Sequence, residues 1–403
     1  MNHTALLAAF FLSASTFAAE GTVLDPMEQA GAVQKGQGPA NAKAEVVEGK
    51  VGKAVKYSFD KDAKGVYVAT AAKGTPEWDT AAGLSFWVKG DGSEHCGGIE
   101  FIWNDDYAIR YAACFSIKGT DWQKVMIPWR DFECTIPKED AKPFPLDAKN
   151  GNAPSKLGQL RFGRWWFWKD WEAHSYTIDQ LSLEKEIPLD NTDYKPKGDP
   201  LARVAAKLKS GKPVTVVLMG DSLTDYDHWA NKEVNWPTLF KAKLKEKFKS
   251  DATIVNSAIG GTELRTNIVL IPKWIQVAPE PDLVTIFIGG NDFGNGMHKK
   301  VMTESMKDCI ERVRRATKGK ADILVMTTAP ATASWDTIGE LADGCRDAAK
   351  EENAGLVDVF AAFHEDGKTD KAHLYATDSI HLGKGGHELV AKLVADALEK
   401  SAK

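Results

Sequence analysis

The tetrad Gly220-Asp221-Ser222-Leu223 follows the apolar run Val214-Thr215-Val216-Val217-Leu218-Met219. That order places a hydroxyl at the C-terminal end of a strand that an open α/β sheet would bury, where such sheets collect their chemistry. A second apolar run ends in Gly289-Gly290-Asn291-Asp292, and Asp378-Ser379-Ile380-His381 lies near the C-terminus. Together these stretches hold a nucleophile, a side-chain amide and an Asp/His pair, the parts that acyl transfer needs. A serine hydroxyl attacks only when a base takes its proton, and His381 is the candidate because imidazole titrates near neutral pH. Asp378 would hold the His381 Nδ1–H and stabilise the imidazolium. Attack on an ester creates an oxyanion that needs fixed donors, and the backbone N–H groups of Ser222 and Gly261 with the Asn291 amide could supply three. Gly261 lies in Asn256-Ser257-Ala258-Ile259-Gly260-Gly261-Thr262, where the missing Cβ lets a backbone N–H approach substrate; Gly260 is the alternative for that place.

Taken singly, each residue has a plainer use. Ser222 could cap a helix, Asn291 and Asp292 could form a turn, and Asp378 could cap the helical pattern through Leu389–Val394 with His381 packed beside it. Coincidence of all the blocks favours chemistry. The nucleophile elbow of α/β hydrolases, Gly-x-Ser-x-Gly, is not matched, because Thr224 stands where the second glycine belongs and the acid and histidine share one loop. The four blocks in their order instead resemble those of the SGNH (GDSL-type) hydrolase family over roughly residues 210–400. The resemblance implies Ser222 as nucleophile, Gly261 as second-block glycine, Asn291 as amide donor, and Asp378 and His381 as acid and base. It implies an esterase that works without a cofactor or metal.

Other residues near these blocks stay in ordinary roles. Asp225, Asp227 and His228 fit no metal-ligand spacing and read as solvated residues at a helix start, although with Tyr226, Trp229 and Trp236 they could line the cleft. His387 falls in the last helical pattern and is expected at the surface. Gly383-Lys384-Gly385-Gly386 follows no strand and is not a phosphate loop.

Positioning such a site needs a sheet. From residue 201 onward the pattern alternates strand and helix, with buried-strand candidates at 214–219, 252–256, 283–288, 322–328 and 355–359. This predicts a three-layer α/β domain over 201–403 with a five-stranded parallel sheet. Residues 22–186 read differently: short segments such as Val55–Phe59, Leu84–Val88, Ile99–Trp103 and Tyr176–Leu181 alternate apolar with polar and no long amphipathic helix intervenes. That is the pattern of an all-β sandwich. Residues 187–200 carry three prolines among polar residues and read as a linker.

Nine of the thirteen tryptophans lie in the first half. Trp87 and Trp103 sit inside strand patterns and are expected in the core. The run Arg164-Trp165-Trp166-Phe167-Trp168-Lys169-Asp170-Trp171 cannot bury every ring on one face of a strand, so some must meet solvent, the other domain or a sugar. Residues 45–185 bear a looser resemblance to galactose-binding-type jelly rolls, a fold common among carbohydrate-binding modules.

The whole chain sets bounds. Its 403 residues suit two domains, and a formal net charge of -5 without a dense basic run disfavours nucleic acid as a partner. Residues 1–19 carry the apolar run Ala5–Leu12 followed by small residues, the pattern of a cleaved secretory signal, and no other stretch could cross a membrane. Five cysteines could pair in part in an oxidising compartment, with connectivity unreadable and no Cys-x-x-Cys motif. The expectation is a secreted or periplasmic serine esterase that removes acetyl or other small acyl groups from a polysaccharide. A lipase or lysophospholipase, and a glycan-binding protein with a disabled hydrolase domain, are the alternatives.

Overall fold

Both faces of the sheet in the second half are apolar because both are covered. In the strand Val214–Gly220, Val214, Val216 and Leu218 join one buried cluster while Val217 and Met219 join another on the opposite side. The same split recurs in Leu283–Phe287 and Asp322–Met326, where Leu283, Phe287, Leu324 and Met326 face one way and Val284, Ile286, Ile323 and Val325 the other. A strand buried on both sides cannot alternate apolar with polar, which is why these segments read as continuous apolar runs. In this computed structural model, which describes residues 21–35, 42–63, 65–135, 145–169 and 172–403, five parallel strands form the sheet. Ala252–Asn256 lies at one edge, then Val214–Gly220, Leu283–Phe287, Asp322–Met326 and Gly355–Val357. The chain therefore reverses direction across the sheet next to its first strand, the place where such sheets open a crevice at their carboxyl ends.

Helices Ala202–Lys209, Trp236–Phe248, Val359–Asp366 and Lys384–Ser401 cover one face. Leu264–Val269, Lys299–Ala316 and Gly339–Glu351 cover the other. The C-terminal region is thus a three-layer α/β domain with a parallel sheet of five strands. Trp236, expected as a possible cleft residue, is fully buried beneath the sheet, its Nε1–H donating to Thr224 Oγ1 at 3.2 Å. His387, expected at the surface, is also buried and accepts the Trp236 N–H at 3.2 Å through Nδ1. Burial pushes its pKa down to about 4, so the ring is neutral and serves as a fixed acceptor for the helix start.

Among the described residues, the first half builds two antiparallel sheets of six strands each. One runs Ala42–Glu48, Lys53–Phe59, His174–Glu184, Gly83–Gly90, Gln123–Pro128, with Thr22–Asp25 added on His174–Glu184. The other runs Glu133–Cys134, Asp106–Ser116, Cys96–Trp103, Leu157–Arg164, Val66–Ala69, Val33–Lys35. Alternate residues of both, among them Tyr57, Phe59, Phe86, Phe101, Phe115, Phe162 and Tyr176, share one apolar cluster. The period of two also corrects one expectation. With Phe86 and Val88 turned inward, Trp87 must turn outward; it is half-buried with Lys50 Nζ 5.2 Å from its ring, and Trp103 packs only at the edge of the cluster.

Between Glu184 and Ala202 no helix or strand forms, but this segment is not a free tether. Asp190 pairs with Lys318 at 2.7 Å, Asn191 accepts from Arg130 at 2.8 Å, and Pro196 O accepts from Asn353 at 2.7 Å. The two halves also meet directly. Trp165, Phe167 and Trp168 are buried in a cluster with Ile259, Val269 and Leu270 of the second half, so these rings meet the other half rather than a ligand. Arg312 donates to the carbonyls of Asp131 and Arg130 at 2.8 Å each and to Glu133 at 3.0 Å. All five cysteines are buried, and none is joined to another in a disulfide. The leader expected at residues 1–19 lies outside the described residues, as do Trp171 and the side chain of Trp166. Among the described residues no helix is long and apolar enough to cross a membrane.

Candidate active site

Three strand ends converge on one place. Ser222 follows Val214–Gly220, Gly261 follows Ala252–Asn256, and Asn291 follows Leu283–Phe287. Residues 221–228 are turns, and the next α-helix begins only at Trp236, so Ser222 caps no α-helix. Its turn is held by Asp221, whose Oδ1 accepts the Leu223 N–H at 2.9 Å and whose carbonyl accepts the N–H groups of Thr224 and Asp225 at 3.0 Å. At Gly289 the backbone adopts φ 140, and an added Cβ would lie 2.6 Å from Thr328 Cβ; only glycine can turn the chain there to present Asn291.

Asp378 and His381 come from the loop ahead of the last helix. Ser379 sits at φ 62, and Ala376 N–H donates to His381 O at 2.8 Å, closing a tight turn. Thr332 fastens that turn to the rest of the domain through its N–H and hydroxyl, which donate to Ser379 O at 3.0 and 2.7 Å. The imidazole faces the serine. His381 Nε2 lies 2.9 Å from Ser222 Oγ, and His381 Nδ1 lies 2.5 Å from Asp378 Oδ2. Asp378 Oδ1 accepts the N–H groups of Ile380 and His381 at 3.1 and 3.0 Å. Partial burial pushes the Asp378 carboxyl up, but the hydrogen bonds from the His381 ring and these two N–H groups outweigh it and hold the carboxyl below its usual range.

Among the described residues, neither the Ser222 N–H nor the Gly261 N–H has an acceptor, whereas the Gly260 N–H is taken by Asp225 Oδ2 at 2.9 Å. That distinction makes Gly261, at φ 79, the available donor of the pair. Asn291 Nδ2 donates one proton to Thr262 O at 3.0 Å, which aims the amide and leaves its second proton for a ligand. The arrangement can deprotonate a hydroxyl and hold a developing negative charge, which is what acyl transfer demands.

Residues that the sequence offered only as possible cleft lining adjoin this series. His228 stacks on His381 with ring centroids 4.0 Å apart, and Trp229 meets the same ring edge-on at 5.9 Å. Burial and the neighbouring His381 hold the His228 pKa down, against the pull of Asp225 and Asp378, so it stacks as a neutral ring. Asp225, read above as solvated, is buried. Nothing in the local sequence marks its burial, because Lys169 and Gly260, which hold its carboxylate, lie in other loops. Among the described residues no group of three or more His, Cys, Asp or Glu side chains could hold a metal.

Asp292, beside Asn291, is fully buried; Oδ1 accepts the Leu264 N–H at 3.0 Å, and Oδ2 has no partner among the described residues. Burial, reinforced by Glu263, pushes its pKa up to about 8. A carboxyl raised in the folded state binds its proton more tightly there than in the unfolded chain. Its stabilisation is complete below the ordinary carboxylate pKa and is lost as pH rises through about 8. Between pH 6 and 8 this one group costs about 2–3 kcal/mol. Asp292→Asn keeps the Leu264 acceptor without the charge. The thermal midpoint of D292N should therefore fall less than that of the parent protein between pH 6 and 9; parallel declines would show that Asp292 is ionised in the folded state.

Residues 218–389 match the model of the GDSL-like lipase/acylhydrolase family. An isoamyl acetate-hydrolyzing esterase 1 homolog from Bos taurus is 22% identical over 220 residues, covering 47% of this chain and 85% of that protein. An arylesterase from Vibrio mimicus is 29% identical over 99 residues, 25% of this chain and 48% of that protein. Among solved structures, the lipase/acylhydrolase from Enterococcus faecalis is similar with TM-score 0.40 and 18% identity over 47% of this chain and 97% of that one. The acetylxylan esterase Axe2 from Geobacillus stearothermophilus gives TM-score 0.39 and 24% identity over 47% and 96%. With Gly220-Asp221-Ser222-Leu223 at the end of the first strand and the other blocks on the strands and loop that follow, residues 218–389 form a domain of the GDSL-like lipase/acylhydrolase family.

Proposed function

We propose that this protein is an exported serine esterase that removes acetyl or other small acyl groups from a polysaccharide. One observation carries the chemistry: Ser222 Oγ, His381 and Asp378 form a continuous hydrogen-bonded series, 2.9 Å and then 2.5 Å. Ser222 Oγ attacks the ester carbonyl as His381 Nε2 takes its proton, and Asp378 stabilises the imidazolium. The oxyanion is held by the N–H groups of Ser222 and Gly261 and by the Asn291 amide. Collapse expels the sugar alcohol, which receives the proton from His381 and leaves an acyl-serine. Water, deprotonated by the same imidazole, releases the carboxylic acid.

The small acyl group is supported by the bovine relative, whose name specifies an acetate ester. A sugar on the alcohol side is supported by an exposed aromatic ring beside the base: Trp229, whose ring lies 5.9 Å from that of His381, is 53% exposed. Export is supported by the leader-like pattern of residues 1–19.

Rates on p-nitrophenyl esters of increasing acyl length, with acetate release from acetylated polysaccharides, test the reading. Turnover should peak at acetate and fall steeply toward octanoate. A peak at long chains would replace it with the lipase reading, for which the exposed Ile380 near the site would supply apolar surface.

A further inference from the structure

Asp225 is the joint between the turn that carries Ser222 and the turn that carries Gly261. Its N–H donates to Asp221 O at 3.0 Å, and its carbonyl accepts from Asn231 Nδ2 at 2.6 Å; the same amide donates to Ser222 O at 2.7 Å. On the other side its Oδ2 accepts the Gly260 N–H at 2.9 Å, and Oδ1 accepts the Asp227 N–H at 2.8 Å. The carboxylate is only 7% exposed. A charge so far out of water must be compensated or the loop around it will rearrange.

The compensation comes from the other half of the chain. Lys169 Nζ donates to Asp225 Oδ1 and, at 2.5 Å, to Oδ2, and lies 3.1 Å from Asp227 Oδ2. Lys169 stands at φ 48, where it ends the turn Trp166–Trp168, and that turn is anchored by the buried Trp165, Phe167 and Trp168 against Ile259, Val269 and Leu270. Lys273 crosses in the opposite sense and donates to Trp168 O at 2.6 Å. The ammonium is thus delivered by packed backbone rather than by a loose surface chain.

We propose that Lys169 is a positioning residue of the esterase centre: by neutralising Asp225 it fixes the Gly260–Gly261 peptide so that the Gly261 N–H stays available to the oxyanion. The first half of the chain is then a working part of the catalytic centre and not only an accessory to it. This rests on the serine-esterase reading of Ser222.

The test uses the full chain and p-nitrophenyl acetate, with kcat expressed per serine titrated by an organophosphate, so that unfolded protein is not counted. Lys169→Met should lower kcat per serine by about 10- to 100-fold, the scale of a small misplacement of a catalytic group, with KM little changed. Lys169→Arg, which keeps the charge, should restore most of it. A salt bridge that only glues the halves together would lower thermal stability and the titratable fraction while leaving kcat per serine intact. That result overturns the proposal, as does K169R being as damaged as K169M.

The double variant K169M/D225N decides the case even where K169M does not fold, because a buried amide needs no cation and still accepts the Gly260 N–H. Recovery of kcat per serine toward the parent value supports the proposal, and a folded double variant still reduced as far as expected for K169M overturns it. A parent protein that neither labels nor turns over ends the esterase reading and this inference with it. A normal parent with an unaffected K169M ends only the role of Lys169.

Discussion

Ser222→Ala should lower kcat on a small acetate ester by about a million-fold, the scale seen when the nucleophile of a serine hydrolase is removed. The geometry explains why so little should remain. The Ser222 hydroxyl is the oxygen within hydrogen-bond reach of His381 Nε2, at 2.9 Å. Without it the imidazole can activate only a water, which lacks the hydroxyl's fixed position and so loses the entropic advantage of a bound nucleophile. Substrate binding should survive, because the Ser222 and Gly261 N–H groups and the Asn291 amide do not depend on the hydroxyl. Steady-state kinetics with organophosphate labelling of both forms would check this. Equal turnover in the two proteins would show that the hydrogen-bonded series is not the catalyst.

Asp378→Asn should lower kcat by about ten-thousand-fold at neutral pH, as for the equivalent change in other serine hydrolases. The substitution is chosen to preserve the loop. Asp378 Oδ1 accepts the N–H groups of Ile380 and His381 at 3.1 and 3.0 Å, and an asparagine oxygen can accept both. The loss falls on the other oxygen, 2.5 Å from His381 Nδ1, where an NH2 group would donate instead of accept. His381 would then place its proton on Nε2, facing Ser222 Oγ, and could not take the serine proton. kcat against pH and a thermal melt together would check this: the melt should be nearly unchanged while turnover collapses. A fall of less than tenfold would mean that the stacked His228, at 4.0 Å, suffices to orient the ring.

Both predictions concern residues that were legible before any coordinates. A hydroxyl after an apolar strand, a Gly-Gly-Asn after a later one and an Asp-x-x-His near the end are local patterns, and the structure brings Ser222, His381 and Asp378 into one hydrogen-bonded series. The three central strands were legible for a related reason: burial on both faces writes itself into the chain as runs dominated by Val, Ile, Leu, Met and Phe. The linker at 187–200 was visible as proline-rich chain, but its attachment to Lys318, Arg130 and Asn353 was not.

The amino-acid order by itself determined the kind of chemistry and the sheet that carries it, because hydrophobic period, turn residues and motif spacing act over a few residues. Only the tertiary structure decided which glycine N–H is free, that His387 and Trp236 are buried together, that His228 lies on His381, and that the tryptophan run faces the second half. Each of these depends on contact between segments far apart in the chain; Lys169 and Asp225 are separated by 56 residues. No period or local propensity links such pairs. Their meeting is set by how the two halves pack, and a buried charge such as Asp225 shows its role only when the cation that neutralises it can be seen.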